Sequence, residues 1–267
     1  MNSPTPLHAN AYFSGNDQGL PVILIHGLGS SLRTWDFLIP ALVREGCTVH
    51  ALDLLGHGDS AKPPANGSYP IEAIYAHFFN WANRLGLTRP PVIVGHSMGG
   101  YLALNYALRA QKSPRSLFLL NPYYCNAQLS TAIRFSLRSP RLSQATLKIA
   151  PAWTIRKALR LLQRRGEKLP RPVRQQIADD FKRMDPHLLH TPHTIQDLTP
   201  QLCRLKLPIH IAWGGQDMTL APDTFPTLCS AIPHSGHEIL PGGHVPHLSH
   251  PDEINAAIIR FLRQTAR

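Results

Sequence analysis

Six residues, Gly95-His96-Ser97-Met98-Gly99-Gly100, carry the strongest chemical signal in the chain. They follow an apolar run at 91–94 (PVIV) and precede a helix-compatible stretch at 101–107 (YLALNYA). A serine with glycine two places before and two after it, between a strand and a helix, can sit on a tight turn that lifts its hydroxyl above a sheet edge. The flanking glycines leave room where a side chain would collide with the returning backbone. The helix that follows points its first amides at the same spot, which favours developing negative charge.

A serine hydroxyl is a weak nucleophile and needs a base, which needs an orienting partner. For a serine on this kind of turn the partners come later in the chain, first an acid and then a histidine. Asp217 is the candidate acid. It closes Trp213-Gly214-Gly215-Gln216-Asp217, just past a candidate strand, where ligand chemistry concentrates in open α/β sheets. Among fifteen histidines, His244 is the candidate base, because it follows Gly242-Gly243 and precedes the last helical pattern. His244, His247 and His250 could suggest a metal cluster, but Pro246 and Pro251 oppose one helix presenting all three, and no metal motif accompanies them. No metal or organic cofactor is expected; His247 and His250 are read as structural. Acyl transfer also needs donors for an oxyanion. The Met98 amide is one candidate and the Leu28 amide, in His26-Gly27-Leu28-Gly29-Ser30, is the other. His26 is expected to pack beneath that loop.

These residues need a scaffold that brings loops 27–30, 95–100, 214–217 and 242–244 to one place. Apolar runs at 21–25, 48–53, 91–94, 116–120 and 208–213 suit parallel strands buried on both faces, with weaker strands near 8–13 and 236–240. Ile71, Ile74, Tyr75, Phe78 and Phe79 form one helical stripe after Pro70. Ile254, Ala257, Ile258, Phe261 and Leu262 form another after Pro251, with acids in its first turn. The alternation predicts an α/β fold: a mostly parallel central sheet with helices on both faces. Residues 122–200 break it. They show helical stripes (Val173, Ile177, Phe181, Met184; Ile155, Leu159, Leu162) and no convincing strand. The expected organisation is a core of 1–121 and 201–267 with a helical cap, 122–200, inserted between two strands.

Length suits one large domain or one domain with an insertion. No run approaches the length of a membrane span, and the first nineteen residues do not look like a secretory leader. Cys47, Cys125, Cys203 and Cys229 form no C-x-x-C pair and read as free thiols in a reducing, cytoplasmic setting. The net charge is +11. The cap holds fourteen Lys and Arg against five acids, so nine of those eleven charges belong to it. Arg156, Arg160 and Arg164 share one helix face. A solvated cap face is the preferred reading; contact with an anionic membrane or an anionic substrate is the sharper alternative. No recognition motif supports nucleic-acid binding.

Taken together, the motifs resemble those of α/β-hydrolases. The stretch from Ile25 to Ser31 followed by Trp35 resembles the oxyanion loop of that family. Asp53 to Ser60, then Pro63, resembles its D-x-x-G-x-G-x-S loop. Gly95 to Gly100 is similar to its nucleophile elbow, Gly214 to Asp217 to its acid loop, and Gly243 to Leu248, then Pro251, to its histidine loop. The resemblance covers about residues 21–265 and implies that 122–200 is the family's variable cap. Ser97 rather than Asp at the nucleophile argues against dehalogenase and epoxide-hydrolase chemistry. Position 121 is Asn, so the alternative acid location of some relatives is empty. Val245 stands where many carbon–carbon hydrolases carry Trp. The resemblance therefore implies a carboxylic ester hydrolase acting on a small acyl substrate, acylglycerols included. Thioester or carbon–carbon hydrolysis, or a slow ligand-binding receptor, are the alternatives. Gly27, Trp35 and Val245 are the candidate pocket residues.

Overall fold

The structure is a computed structural model and describes residues 11–14, 18–64, 69–163 and 169–265. Its strands are β1 (Ala11–Ser14), β2 (Leu20–Ile25), β3 (Cys47–Leu52), β4 (Val92–His96), β5 (Ser116–Leu120), β6 (Ile209–Gly214) and β7 (Gly236–Leu240). They form one sheet in the order β1-β3-β2-β4-β5-β6-β7. β2 to β7 are parallel, and β1 pairs antiparallel with β3 at the edge. Each expected strand is present: those at 116–120 and 236–240 match end to end, and the others differ by up to two residues at their described ends. Of the weak strand expected at 8–13, residues 8–10 lie outside the described residues.

The helices are α1 (Ile39–Arg44), α2 (Ile71–Arg84), α3 (Met98–Arg109), α4 (Thr131–Leu137), α5 (Pro140–Ile149), α6 (Ala152–Gln163), α7 (Arg171–Arg183), α8 (Thr199–Leu202), α9 (Thr224–Ala231), α10 (Pro246–Ser249) and α11 (Pro251–Thr265). Successive strand residues point to opposite faces, and the core divides accordingly. Val22, Leu24, Val49, Val92, Val94 and Phe118 pack with α1 and α11. Ile23, Ile25, Ile93, Leu117, Leu119 and Ile211 pack with α2, α3 and α9. All five apolar residues expected on the last helix are buried, the burial of each larger side chain (Ile254, Ile258, Phe261, Leu262) worth about 1.5–3 kcal/mol. None of the described helices is long and apolar enough to cross a membrane.

Between β5 and β6 the described chain is helical, and its two ends are embedded in the core. Tyr123, Tyr124 and Cys125 at one end, and Leu188, Leu198 and Leu202 at the other, belong to the layer packed with α2 and α3. α4, α5 and α6 lie further out. The expected stripe on α7 is formed: Val173 and Met184 are buried and Ile177 and Phe181 half-buried. The side chains of Leu159, Arg160 and Leu162, and all of Arg164, Arg165 and Lys168, lie outside the described residues. Cys47, Cys125, Cys203 and Cys229 are unpaired thiols, with Cys203 exposed.

Candidate active site

β4 ends at His96 and α3 starts at Met98, so Ser97 is the whole turn between them. Its φ is 52° and ψ is −119°, a region costly for a residue with a side chain, by about 1–3 kcal/mol. Its backbone is held on both sides: its N–H donates to Leu120 O (3.1 Å) and its carbonyl accepts from Tyr123 N–H (3.0 Å). Gly99 approaches the backbone of Ile25 so closely that a Cβ would overlap its carbonyl. The strained turn is thus clamped between β5 and the end of β2.

The Ser97 hydroxyl donates to His244 Nε2 at 3.0 Å. His244 Nδ1–H donates to Asp217 Oδ2 at 2.8 Å. Asp217 is 3% exposed. Burial pushes its carboxyl up, but the charge and hydrogen bond of His244, the Leu220 amide and Asn121 outweigh that and hold it below the usual carboxylate value. Oδ1 accepts the N–H of Thr219 (2.7 Å) and Leu220 (3.0 Å). The three residues lie on loops after β4, β6 and β7, at the carboxyl edge where the sheet topology gathers them.

The Met98 amide is the first of α3, a position where a helix leaves its N–H without an internal partner. Gly27 lies directly against the serine, for a Cβ there would be 3.0 Å from Ser97 Cβ. This brings the loop carrying Leu28 beside Ser97. His26 is fully buried beneath it, with Nδ1–H donating to Gly27 O (2.8 Å) and Nε2 accepting from Leu54 N–H (3.0 Å). Val245 packs with Leu169, Val173 and Ile177, at the contact between the histidine loop and α7. Trp35 departs from the pocket expectation. It is fully buried in the layer containing α1 and α11, its ring centroid 4.9 Å from that of His247. An indole in that layer fills the core below the loops.

His247 Nε2 bonds Thr34 Oγ1 at 2.7 Å, and His250 Nδ1 bonds Ser249 Oγ at 3.0 Å. Burial and the neighbouring His244 push the His247 imidazole down to about 3, so it is a neutral packing group at ordinary pH. His247 and His250 therefore serve different partners from His244. Among the described residues no group of His, Cys, Asp or Glu is placed to hold a metal ion.

Two residues that the motifs did not single out support the site. His96 Nε2–H donates to the carbonyl of His244 at 2.7 Å. Burial, then the nearby His247 and His244, depress its pKa strongly, so it remains a neutral donor. Asn121, at φ 43°, donates Nδ2–H to Asp217 Oδ2 (2.7 Å) and accepts Gly214 N–H (3.2 Å). The sequence signal for Asn121 was its place just after β5; for His96 it was only adjacency to Ser97.

The helical segment between β5 and β6 reaches this region through α7. Phe181 lies over Gly29, where a Cβ would come within 2.7 Å of the ring. Ser31 Oγ–H donates to Asp180 Oδ2 at 2.9 Å. Arg183 pairs with Asp59 and lies 3.9 Å from Asp180.

The sequence profile of the alpha/beta hydrolase family matches residues 22–257. The chain belongs to the α/β-hydrolase family. This hydrolase is 27% identical over 246 residues to Lipase 1 of Psychrobacter immobilis, covering 90% of the chain and 76% of the lipase. It is 29% identical over 265 residues to the dihydrolipoyllysine-residue acetyltransferase component of the acetoin cleaving system of Pseudomonas putida. That match covers 94% of the chain and just 65% of the longer protein. Among solved structures it is similar to a thermophilic esterase from Thermogutta terrifontis, with TM-score 0.80 and 25% identity, covering 98% of the chain and 96% of the esterase. With esterase and lipase relatives along nearly its whole length, the chain is a hydrolytic enzyme.

Proposed function

We propose that this hydrolase cleaves carboxylic esters by a Ser-His-Asp mechanism with an acyl-enzyme intermediate. The observation that carries the reading is the continuous relay from Ser97 Oγ through both nitrogens of His244 to Asp217 Oδ2, at 3.0 and 2.8 Å. His244 takes the hydroxyl proton as Ser97 attacks the ester carbonyl. The Leu28 and Met98 amides donate to the oxyanion as it forms. His244 then gives its proton to the departing alcohol. Water, deprotonated by the same imidazole, releases the acid and regenerates Ser97. Asp217 keeps the His244 proton on Nδ1 and stabilises the imidazolium. The lipase and esterase relatives favour an oxygen ester over a thioester. Val245, an aliphatic residue after the catalytic histidine, gives carbon–carbon cleavage no support.

The test is release of nitrophenol from an ester series of increasing acyl length, with Ser97→Ala as control. Release that requires Ser97 is expected, and the preferred length measures the acyl pocket. A folded protein that releases nothing from any member, yet cleaves an acyl thioester or a vinylogous diketone, would replace the ester reading with that reaction. If it only binds such ligands, the receptor reading takes its place.

A further inference from the structure

The outermost cap helices present their apolar residues to solvent. Seven large hydrophobic side chains are exposed among the described residues, and four of them lie on α4, α5 and α6: Phe135 (70%), Leu142 (67%), Ile149 (84%) and Trp153 (55%). On α5 the pattern is inverted. Leu142, Ala145 and Ile149, at helical spacing, are exposed, whereas Ser143 and Gln144 are turned toward the protein and half-buried. Leu147 packs the inner side against the core, and the helix rests on residues 186–194. Lys182 fixes the helix in this orientation by donating to the carbonyls of Leu147 (2.6 Å), Lys148 (3.2 Å) and Ala150 (2.9 Å) at its carboxyl end. A surface that had only to be wet would not spend leucine and isoleucine outward and serine inward.

The charge around this face has one sign. Between Glu72 and Glu167 the sequence contains no acidic residue. Arg141 and Lys148 are exposed along one flank of the Leu142–Ile149 stripe, Arg134 and Arg138 flank Phe135, and Lys157 lies one turn beyond Trp153. Between α6 and α7, Trp153, Arg156, Lys157, Arg171 and Arg174 line a groove of about 520 Å³.

We infer that the α4–α6 face of the cap docks on an anionic lipid bilayer. The two halves of the observation select this partner. Apolar side chains ringed by long cationic ones can enter the acyl boundary while the cations reach up to headgroup phosphates. A polynucleotide would satisfy the cations and leave the leucine, isoleucine and phenylalanine with no purpose. A second copy of the chain would satisfy the apolar stripe and set two strongly cationic faces against each other. The inference concerns lipid partition, not turnover, and so stands apart from the ester reading.

Trp153 supplies the readout, because Trp35, Trp81 and Trp213 are all buried and only Trp153 is exposed. The experiment is flotation of full-length Ser97→Ala protein, which cannot consume lipid, with vesicles of phosphatidylcholine alone or with roughly a quarter phosphatidylglycerol. At low salt, binding to the anionic vesicles, with a blue shift of Trp153 emission, is expected, and little binding to the neutral ones. Leu142→Ser combined with Ile149→Ser should weaken partition by about tenfold or more. Arg141→Gln combined with Lys148→Gln should weaken it by about thirtyfold. These positions are exposed, so an unchanged urea midpoint verifies the fold. Failure of the folded protein to bind anionic vesicles overturns the inference. So does binding that is indifferent to Leu142→Ser with Ile149→Ser and is matched by duplex DNA, which would reveal a simple polyanion surface.

Discussion

Replacing Asp217 by Asn perturbs the site at one atom, and the surrounding hydrogen bonds dictate the outcome. Oδ1 accepts two backbone donors, Thr219 and Leu220, at 2.7 and 3.0 Å; Oδ2 accepts Asn121 Nδ2 and His244 Nδ1 at 2.7 and 2.8 Å. A carboxylate accepts from all of them, but an amide has one oxygen. The backbone donors cannot rotate away, so the oxygen stays with them and the NH2 takes the place facing His244. His244 can then meet it only with Nδ1 as acceptor, which moves the imidazole proton to Nε2, against Ser97. In that tautomer no base remains for the hydroxyl. The expected loss is about ten-thousand-fold in kcat, or about 5 kcal/mol of transition-state stabilisation, with KM for a nitrophenyl ester little changed. Asn121 now also faces a donor, and stability should fall by about 1–3 kcal/mol in urea unfolding. Adding Asn121→Asp restores an acceptor opposite the new NH2 and keeps one for Gly214 N–H. The double variant should regain stability but not activity, because the tautomer is still wrong. The Asp217 carboxyl is held below its ordinary value in the folded protein. Its contribution to stability is therefore complete above the ordinary carboxylate range and lost as pH falls through it. The stability gap between the parent and Asp217→Asn should accordingly narrow in acid. A kcat for Asp217→Asn within about tenfold of the parent, or a loss confined to KM, would refute the reasoning.

His96→Phe keeps a ring but removes the donor to the His244 carbonyl; kcat on the same esters should drop by about one to two orders of magnitude from the loosened base, with KM held. Acid stability should fail early. Burial lowers the pKa values of His26, His50, His57, His96, His77 (to about 4) and His247 (to about 3). The unfolded chain binds protons that these folded imidazoles refuse, so stability falls as pH drops below the ordinary histidine value, by up to about 1.4 kcal/mol per pH unit for each. Urea midpoints at pH 7.5, 6.5 and 5.5 measure that slope, and a flat profile would refute it. Asp180 acts with the opposite sign. Burial, only partly offset by Ser31, Arg183 and Arg33, pushes its carboxyl up to about 6, so the stability it contributes when protonated is lost as pH rises from about 4 to 6. Asp180→Asn should make the protein more stable at pH 8, by up to about 3 kcal/mol, and its decline in acid steeper; a variant less stable at pH 8 would refute this.

The strands, the turn at Ser97 and the loops that carry Asp217 and His244 were legible because each is written locally. A strand buried on both faces must be an apolar run, and a serine on a strained turn needs small neighbours within two residues. His96 and Asn121 were not legible because their roles come from partners 148 and 96 residues away. Asn121 drew notice only as a missing acid, whereas its amide donates to the Asp217 carboxylate. Trp35 was misplaced for a related reason. Its position after the oxyanion loop suggested the pocket, while its apolar bulk was committed to the layer between β2 and α11. The inverted face of α5 was hidden too, since periodicity reveals an apolar stripe without saying whether core or solvent receives it.

The contacts of α7 join the helical segment between β5 and β6 to the loops around Ser97 mechanically. Asp180, Phe181 and Arg183 each grip a different core position: Ser31, Gly29 and Asp59. Asp53 ties two of these regions together, accepting the N–H of Leu32 (2.7 Å) and of Asp59 (2.8 Å). Gly29 and Ser31 lie just after Leu28, in the same 27–31 segment whose Gly27 rests against Ser97. A shift of α7 therefore cannot leave the Leu28 amide where it was, because the segment is bonded to the helix at one end and pressed by a ring at its centre. α7 also holds α5 through Lys182. α5 is thus joined to the 27–31 loop through α7, and it also packs against residues 186–194. On the proposed mechanism, substitutions at Asp180 or Phe181 should consequently act on kcat through the position of the Leu28 amide.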